Sequence, residues 1–232
     1  MSSSALAGDA TGPARRIPPR GSRSATLNVV FHVKHDETAS PWAVSAVPLA
    51  PSQIERLETF EDLLLEVAVP RGFVRAAGRA AIHTRHVLDS LRSAPLLPVG
   101  RVADLGSGAG LPGIVVAVAR PDLRVDLVEP MRRRQAFLEL ALERLGIENA
   151  QVLGERSEEL PVDVYDGAVA RAFAPAGVSW AVARRILRPG GRLVYFAGRG
   201  FDGRTPEGAD VRVVRPGPRL ESTGPLVIMT AR

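Results

Sequence analysis

A turn of closely spaced glycines is the part of this sequence best suited to hold a small ligand. Residues 104–113 read DLGSGAGLPG, between a short apolar strand and a helix predicted from the pattern that follows. Glycine lets the backbone adopt positive φ angles and approach a ligand closely. A carboxylate, Glu129, follows at the end of the next apolar strand, where it can accept hydrogen bonds from both hydroxyls of a ribose. This spacing predicts a site for a cofactor that contains a nucleoside.

The residues beside the glycines indicate which cofactor. Residues 108–113 match the G-x-G-x-x-G of dinucleotide-binding folds. Asp104 argues against such a cofactor, because a carboxylate there would repel a pyrophosphate but could accept hydrogen bonds from an ammonium group. Pro112 also removes one of the N–H donors that a phosphate would use at the start of the helix. An acid before the glycines and another after the next strand are typical of S-adenosylmethionine sites. The candidate cofactor-binding residues are Asp104, Gly106, Ser107, Gly108, Gly110, Leu111, Glu129 and Arg171.

The composition argues against cysteine chemistry, a metal site and a membrane span. The chain contains no cysteine, which excludes disulfides, thiolate metal sites and cysteine nucleophiles. Two H-x-x-H pairs, His32/His35 and His83/His86, lack the further ligands that zinc requires, so we predict no metal site. No apolar run approaches the ~20 residues of a membrane span. We therefore expect a cytoplasmic protein without a membrane partner, and we favour a monomer.

Alternating strands and helices must position these residues. We predict strands at 101–105, 125–128, 152–153, 167–170, 192–197, 211–214 and 226–229, and helices at 111–119, 132–145 and 176–187. This alternation predicts an α/β, Rossmann-like fold with a doubly wound, mostly parallel sheet, residues 98–232. Helical periodicity from Ser52, and again from about Phe73 to Leu91, predicts an N-terminal helical cap over 51–97.

The first 50 residues have a different character. They are rich in Ser, Ala, Pro and Arg and show no sustained periodicity, so we predict a disordered basic tail. Residues 1–35 carry five basic groups against one acid, which accounts for most of the formal net charge of +5. An organellar transit peptide and an over-long gene start are both compatible with this composition.

Several boxes of sequence resemble the glucose-inhibited division protein B family, the small-subunit ribosomal RNA methyltransferases G. The boxes are RHVLDS at 85–90, DLGSGAGLPG at 104–113, ARP at 119–121, EP at 129–130, RRxxFL at 133–138 and ARAFA at 170–174, with Arg156 after the third strand. The resemblance covers about residues 80–200. It implies a class I methyltransferase that moves a methyl group from S-adenosylmethionine to N7 of a guanine in 16S ribosomal RNA, as naked RNA or in the small subunit.

The residue types agree with a ring-nitrogen target. Guanine N7 is an unprotonated acceptor, so its methylation needs positioning rather than a general base, and we assign no catalytic residue. Amino-group methylases usually carry a Pro-Pro-aromatic box after the fourth strand, where this chain has RAFA at 171–174. The candidate RNA-binding residues are Arg133, Arg134, Arg156, Arg171 and Arg199. For Arg133 and Arg134 a solvated helix face is an equal alternative, although cations oppose the dipole at a helix start.

The chain departs from the family's pattern at two places. The family usually ends its fifth strand with a lysine, where this chain has Ala197, and a basic residue is expected before the final strand, where this chain reads Thr223-Gly224-Pro225. The departures bear on RNA engagement rather than on cofactor binding. Two alternatives follow: a methyltransferase of another substrate, and an inactive RNA-binding paralogue that retains the cofactor fold. An NAD-binding oxidoreductase is a weaker alternative, because no proton-transfer residue accompanies the glycine turn.

Overall fold

The computed structural model describes residues 48–201, 206 and 208–231. The predicted tail and the His32/His35 pair lie almost entirely outside these residues. The division of the chain at residues 50 and 97 remains a prediction.

One sheet of seven strands carries the described part of the chain. The strands are β1 (Arg101–Leu105), β2 (Arg124–Val128), β3 (Ala150–Leu153), β4 (Tyr165–Arg171), β5 (Leu187–Phe196), β6 (Ala209–Val214) and β7 (Leu226–Ala231). Their order is β3-β2-β1-β4-β5-β7-β6, and only the pairings of β7 are antiparallel. The strand order reverses between β1 and β4, and ligands bind such sheets beyond the carboxyl ends of the strands at that point.

Helices cover both faces of the sheet with their apolar sides. Helices α4 (Gly113–Ala119) and α5 (Arg132–Leu145) pack with the N-terminal helices on one face, and α6 (Ala176–Ile186) packs on the other. Successive residues of the inner strands belong alternately to the two apolar clusters, as the two-residue period of a strand requires. The predicted α/β fold with a doubly wound, mostly parallel sheet is confirmed.

The N-terminal helices form two helical arms. The first arm is α1 (Pro51–Leu63), continued by a π-helical turn over Leu64–Ala68, and α1 contacts both α4 and α5. The second arm runs through α2 (Arg79–Ile82), a π-helical segment (His83–Leu88) and α3 (Asp89–Leu91). We call these two arms the cap.

Some predicted boundaries were wrong. The second helical stretch begins at Arg79 rather than near Phe73, because Gly72 and Gly78 adopt positive φ angles of 70° and 96° that a helix cannot contain. Strand β5 begins at Leu187, before the Pro189-Gly190-Gly191 segment that was expected to separate it from α6. An irregularity in the pairing of β4 with β5 accommodates that segment.

Candidate active site

The glycine turn lies at the carboxyl end of β1, beside the ends of β2 and β4. Gly106, Gly108 and Gly110 all have positive φ angles, 67°, 59° and 80°. Close approach also requires glycine at two places: a Cβ on Gly110 would overlap Ile114, and one on Gly113 would overlap Asp104 and Leu127. Gly106 and Gly108 are partly exposed, whereas the residues between Gly108 and α4 are buried. The exposed backbone of the turn therefore faces the crevice at Gly106 and Gly108.

Asp104 has one carboxylate oxygen engaged and one unpaired. Its Oδ2 accepts a hydrogen bond from the Gly113 N–H at 3.0 Å. Its Oδ1 is buried and has no hydrogen-bond partner among the described residues. Burial raises the pKa of Asp104 to about 7 and the charge of Glu129 adds to this shift, while the Ser107 hydroxyl, the Gly113 N–H and the charge of Arg171 oppose it. An unpaired buried acceptor costs free energy, which a donor such as a ligand ammonium group would recover.

Glu129 is tied to the glycine turn. Its Oε2 accepts from the Gly108 N–H at 3.0 Å and its Oε1 from the Met131 N–H at 2.9 Å. Arg134 Nη1 lies 3.5 Å from Oε2. Each carboxylate oxygen has a further lone pair, so ribose hydroxyls could be accepted in addition to these backbone donors. The structure thus brings Glu129 and Gly108 together, as the predicted site requires.

Arg171 reaches into the cap. Its guanidinium donates to the Arg85 carbonyl at 2.7 Å, the His86 carbonyl at 3.2 Å and Ser90 Oγ at 3.1 Å. It also lies 5.5 Å from the centre of the Phe196 ring. Burial lowers the pKa of Arg171, and the carboxylate of Asp89 opposes this effect. The hydrogen bonds described here join β4 to the cap, so they give no direct support to the predicted contacts of Arg171 with cofactor or RNA.

Asp89 and Arg92 were not among the predicted site residues, although Asp89 belongs to the RHVLDS box. Arg92 Nη1 lies 2.6 Å from Asp89 Oδ1, and Arg171 Nη2 lies 3.5 Å from Asp89 Oδ2. Arg92 also donates to Thr223 Oγ1 at 2.9 Å and to the Gly224 carbonyl at 3.0 Å. A buried arginine of the cap therefore contacts the segment where the family's pattern predicts a basic residue.

Ala197 does not lie on an open rim. It is 7% exposed and belongs to the apolar cluster beneath α6. Its N–H donates to the Pro225 carbonyl at 3.0 Å, and a Cβ on Gly224 would overlap the Ala197 carbonyl oxygen. The two departures from the family's pattern thus contact each other, and a long side chain at position 197 would start from inside the core.

The other predicted RNA-binding arginines occupy different surroundings. Arg133 is exposed, with its guanidinium 5.9 Å from the centre of the Phe73 ring. Arg156 and Arg199 are exposed after the ends of β3 and β5, respectively. Because the carboxyl ends of parallel strands meet at one edge of the sheet, Arg156 and Arg199 lie at the same edge as the glycine turn.

The histidines of the cap have structural partners. His83 Nδ1 lies 2.7 Å from Glu61 Oε1, and His86 Nε2 lies 3.1 Å from the Arg75 carbonyl. Burial is the largest cause that lowers the pKa of His86.

No group of three or more potential metal ligands occurs within the described residues. None of the helices described here is long and apolar enough to cross a membrane.

Comparisons with known proteins agree on one family. The model of the family described as rRNA small subunit methyltransferase G matches residues 53–202. The chain is 43% identical over 150 residues to ribosomal RNA small subunit methyltransferase G of Acidiphilium cryptum, covering 63% of this chain and 69% of that protein. It is 35% identical over 173 residues to the protein of that name from Corynebacterium diphtheriae, covering 72% and 76%.

Solved structures show a shared fold at low sequence identity. A mutant of MtNAS aligns with a TM-score of 0.53 at 16% identity, covering 78% of this chain and 74% of that chain. M. jannaschii TYW2, solved in complex with AdoMet, aligns with a TM-score of 0.51 at 13% identity, covering 62% and 74%.

Proposed function

The chain belongs to the rRNA small subunit methyltransferase G family, and from this premise we propose that it transfers the methyl group of S-adenosylmethionine to N7 of a guanine in 16S ribosomal RNA. The observation that carries the proposal within the structure is the unpaired Asp104 Oδ1, buried beside a glycine turn and one strand away from Glu129. The partner is 16S RNA, either naked or in the small subunit, and the reaction belongs to the cytoplasm.

The residues present fit this cofactor. Asp104 Oδ1 would accept a hydrogen bond from the ammonium group of the cofactor's methionine part. The partly exposed backbone at Gly106 and Gly108 would lie along that methionine part. Glu129 would accept from the ribose hydroxyls while it holds the Gly108 N–H. Bound there, S-adenosylmethionine supplies a methyl group made electrophilic by the attached sulfonium.

The reaction needs orientation and no proton transfer. The bound cofactor would supply the methyl group to the N7 lone pair, and its sulfur would keep the electron pair of the carbon–sulfur bond. Because N7 carries no proton, the protein's contribution is to align the base and the methyl group, which is an orientation effect.

Methyl transfer to small subunits tests the proposal. Subunits from cells that lack this methylation should gain labelled methyl from S-adenosylmethionine at one guanine N7, located by chemical cleavage at 7-methylguanine. Glu129→Ala serves as the matched variant that should lose cofactor affinity. Labelled methyl on an exocyclic amino group, or on another molecule in an extract of the same cells, would instead support a methyltransferase that acts on a different substrate.

A paralogue that binds RNA and cofactor without methyl transfer is the second candidate. Ala197 and Gly224 contact each other at the two places where the family's pattern has cations, and neither carries a charge. This absence of charge favours the inactive paralogue. In the same experiment this candidate predicts binding of S-adenosylhomocysteine and of small subunits, but no label in RNA.

A further inference from the structure

The loop after β4 holds an alanine in a conformation that alanine rarely adopts. Ala172 has a φ angle of 51°, which lies in the left-handed region, and it is exposed. A non-glycine residue there is strained, and such a conformation persists only when its surroundings hold it in place.

Both ends of this loop are anchored. Before Ala172, the guanidinium of Arg171 is held by three groups of the cap. After it, the Ala174 carbonyl accepts hydrogen bonds from Ser179 Oγ at 3.0 Å and from Tyr195 Oη at 3.1 Å. These contacts hold both ends of the short loop that contains residues 172 and 173.

This loop places Phe173 against the glycine turn. The edge of its ring lies directly over Gly106, because a Cβ built on Gly106 would come within 2.8 Å of Phe173 Cδ2. Phe173 is only partly buried. Its ring therefore packs against the glycine turn with one part, and another part remains accessible at the end of β4, where the strand order reverses.

Phe173 packs in part against the apolar cluster beneath α6, as the partly buried Tyr195 does, and it is less enclosed than Phe60 and Phe137, at 0% and 3% exposure. What distinguishes Phe173 is the left-handed residue before it and its contact with Gly106. Phe173 thus contacts the glycine turn, remains partly exposed, and follows a residue in a strained conformation. Strained backbone that the surrounding structure maintains is concentrated at functional sites.

We propose that Phe173 is the surface on which the target guanine stacks, and that the left-handed conformation of Ala172 directs the ring over Gly106. This inference rests on the proposed function and adds to it a specificity-determining residue. Any nucleobase has a π face on which an aromatic ring can stack. The N7 lone pair lies in the plane of the base, so a stacking surface that fixes this plane also restricts the direction from which N7 meets the methyl group.

Two substitutions separate stacking from packing. Phe173→Leu keeps an apolar side chain against Gly106 but removes the aromatic face, whereas Phe173→Trp keeps the face. For Phe173→Leu we expect kcat/KM for methyl-free small subunits to fall about tenfold or more, with affinity for S-adenosylhomocysteine within about threefold of wild type. For Phe173→Trp we expect a smaller loss than for Phe173→Leu, because the aromatic face remains.

Fluorescence gives a readout that a packing role would not affect. The tryptophan introduced by Phe173→Trp should be quenched when methyl-free small subunits are added to the protein loaded with S-adenosylhomocysteine. The wild-type protein, whose Trp180 is 3% exposed, is the matched control for quenching at its own tryptophans. Quenching beyond that of the control supports stacking, and its absence overturns the proposal.

The strained residue has its own test. Ala172→Val should reduce methylation about tenfold or more with unchanged cofactor affinity, and Ala172→Gly should reduce it less, because glycine adopts positive φ without strain. Wild-type methylation by Phe173→Leu, or a loss of S-adenosylhomocysteine affinity as large as the loss of methylation, would show that Phe173 only packs the turn. A wild-type protein that methylates no RNA would refute the proposed function itself, and the stacking proposal with it.

Discussion

The carboxylate of Asp89 and the guanidinium of Arg92 form an ion pair, 2.6 Å between Oδ1 and Nη1, in which both side chains are less than a tenth exposed. The second oxygen of Asp89 lies 3.5 Å from Arg171, and Arg92 continues to Thr223 and Gly224. One buried carboxylate thus joins the cap, the end of β4 and the segment before β7. These three parts meet beside the proposed active site.

Loss of Arg92 should destabilise the fold. Arg92→Met leaves Asp89 buried with only the longer contact to Arg171, and we expect the free energy of unfolding to fall by about 3 kcal/mol. Urea unfolding of both proteins measures the difference. Arg92→Lys, which keeps a cation beside Asp89, should lose less; equal loss in both variants would contradict this account.

Cofactor affinity should depend on pH through Asp104. Its pKa of about 7 in the free protein means that the carboxyl is protonated below pH 7 and must ionise to accept from an ammonium group. Affinity for S-adenosylhomocysteine should therefore rise with pH up to about 7 and level off above it, by at most about tenfold per pH unit. Calorimetry between about pH 5.5 and 8 measures this profile. Asp104→Asn should bind more weakly and without this dependence, so an equally steep profile in that variant would exclude Asp104 as its source.

The same pKa has a consequence for stability, with the opposite sign. The folded pKa of Asp104 is raised above its ordinary value of 3.8, so the folded protein holds this proton more tightly than the unfolded chain does. Asp104 therefore lowers the free energy of unfolding progressively as pH rises from about 4 to about 7, and no further above that. Comparing urea unfolding of the wild type with Asp104→Asn across this range isolates the contribution, which should be missing from the variant.

Glu129 should contribute to cofactor affinity in two ways. Glu129→Ala removes both an acceptor for the ribose hydroxyls and the partner of the Gly108 N–H. We expect a loss of about 1.5–3 kcal/mol, or roughly ten- to a hundredfold in affinity for S-adenosylhomocysteine. Glu129→Gln, which keeps one oxygen acceptor, should lose less. Unchanged affinity in Glu129→Ala would remove this residue from the site.

Arg199 should contribute to RNA methylation and not to cofactor affinity. If it replaces the lysine of the family's pattern, Arg199→Ala should lower methylation about tenfold or more, which corresponds to ~1.4 kcal/mol, with unchanged affinity for S-adenosylhomocysteine. Arg124→Ala is the matched control, because Arg124 is exposed at the start of β2, on the opposite edge of the sheet. Similar losses in both variants would indicate a general charge effect.

Ala197→Lys should not restore a missing function. A lysine side chain at this buried position would place its charge in the apolar cluster or force the neighbouring side chains to move. The rearrangement should lower the free energy of unfolding by about 1–3 kcal/mol. Faster methylation by this variant without loss of stability would show that the side chain reaches the crevice after all.

Much of the site was predictable from the sequence because its signals are local. The glycine turn, Asp104 and Glu129 each stand at the end of an apolar run, and parallel pairing of β1 with β2 brings those ends to one edge of the sheet. The fold followed from the same alternation of strands and helices. The start of the second cap helix did not, because helical periodicity continued across Gly78, whose positive φ angle breaks the helix.

Which side chains meet across the chain was decided only by the tertiary structure. The guanidinium of Arg171 binds carbonyl groups of the cap more than 80 residues earlier, a contact that no sequence pattern indicated; its contacts with cofactor and RNA stay a prediction. Arg92 reaches Thr223, 131 residues away, and Phe173 packs on Gly106. The physical reason is that sequence patterns specify the elements and the edge at which they end, whereas a flexible guanidinium or an aromatic ring takes its partners from whatever the packing of those elements places within reach.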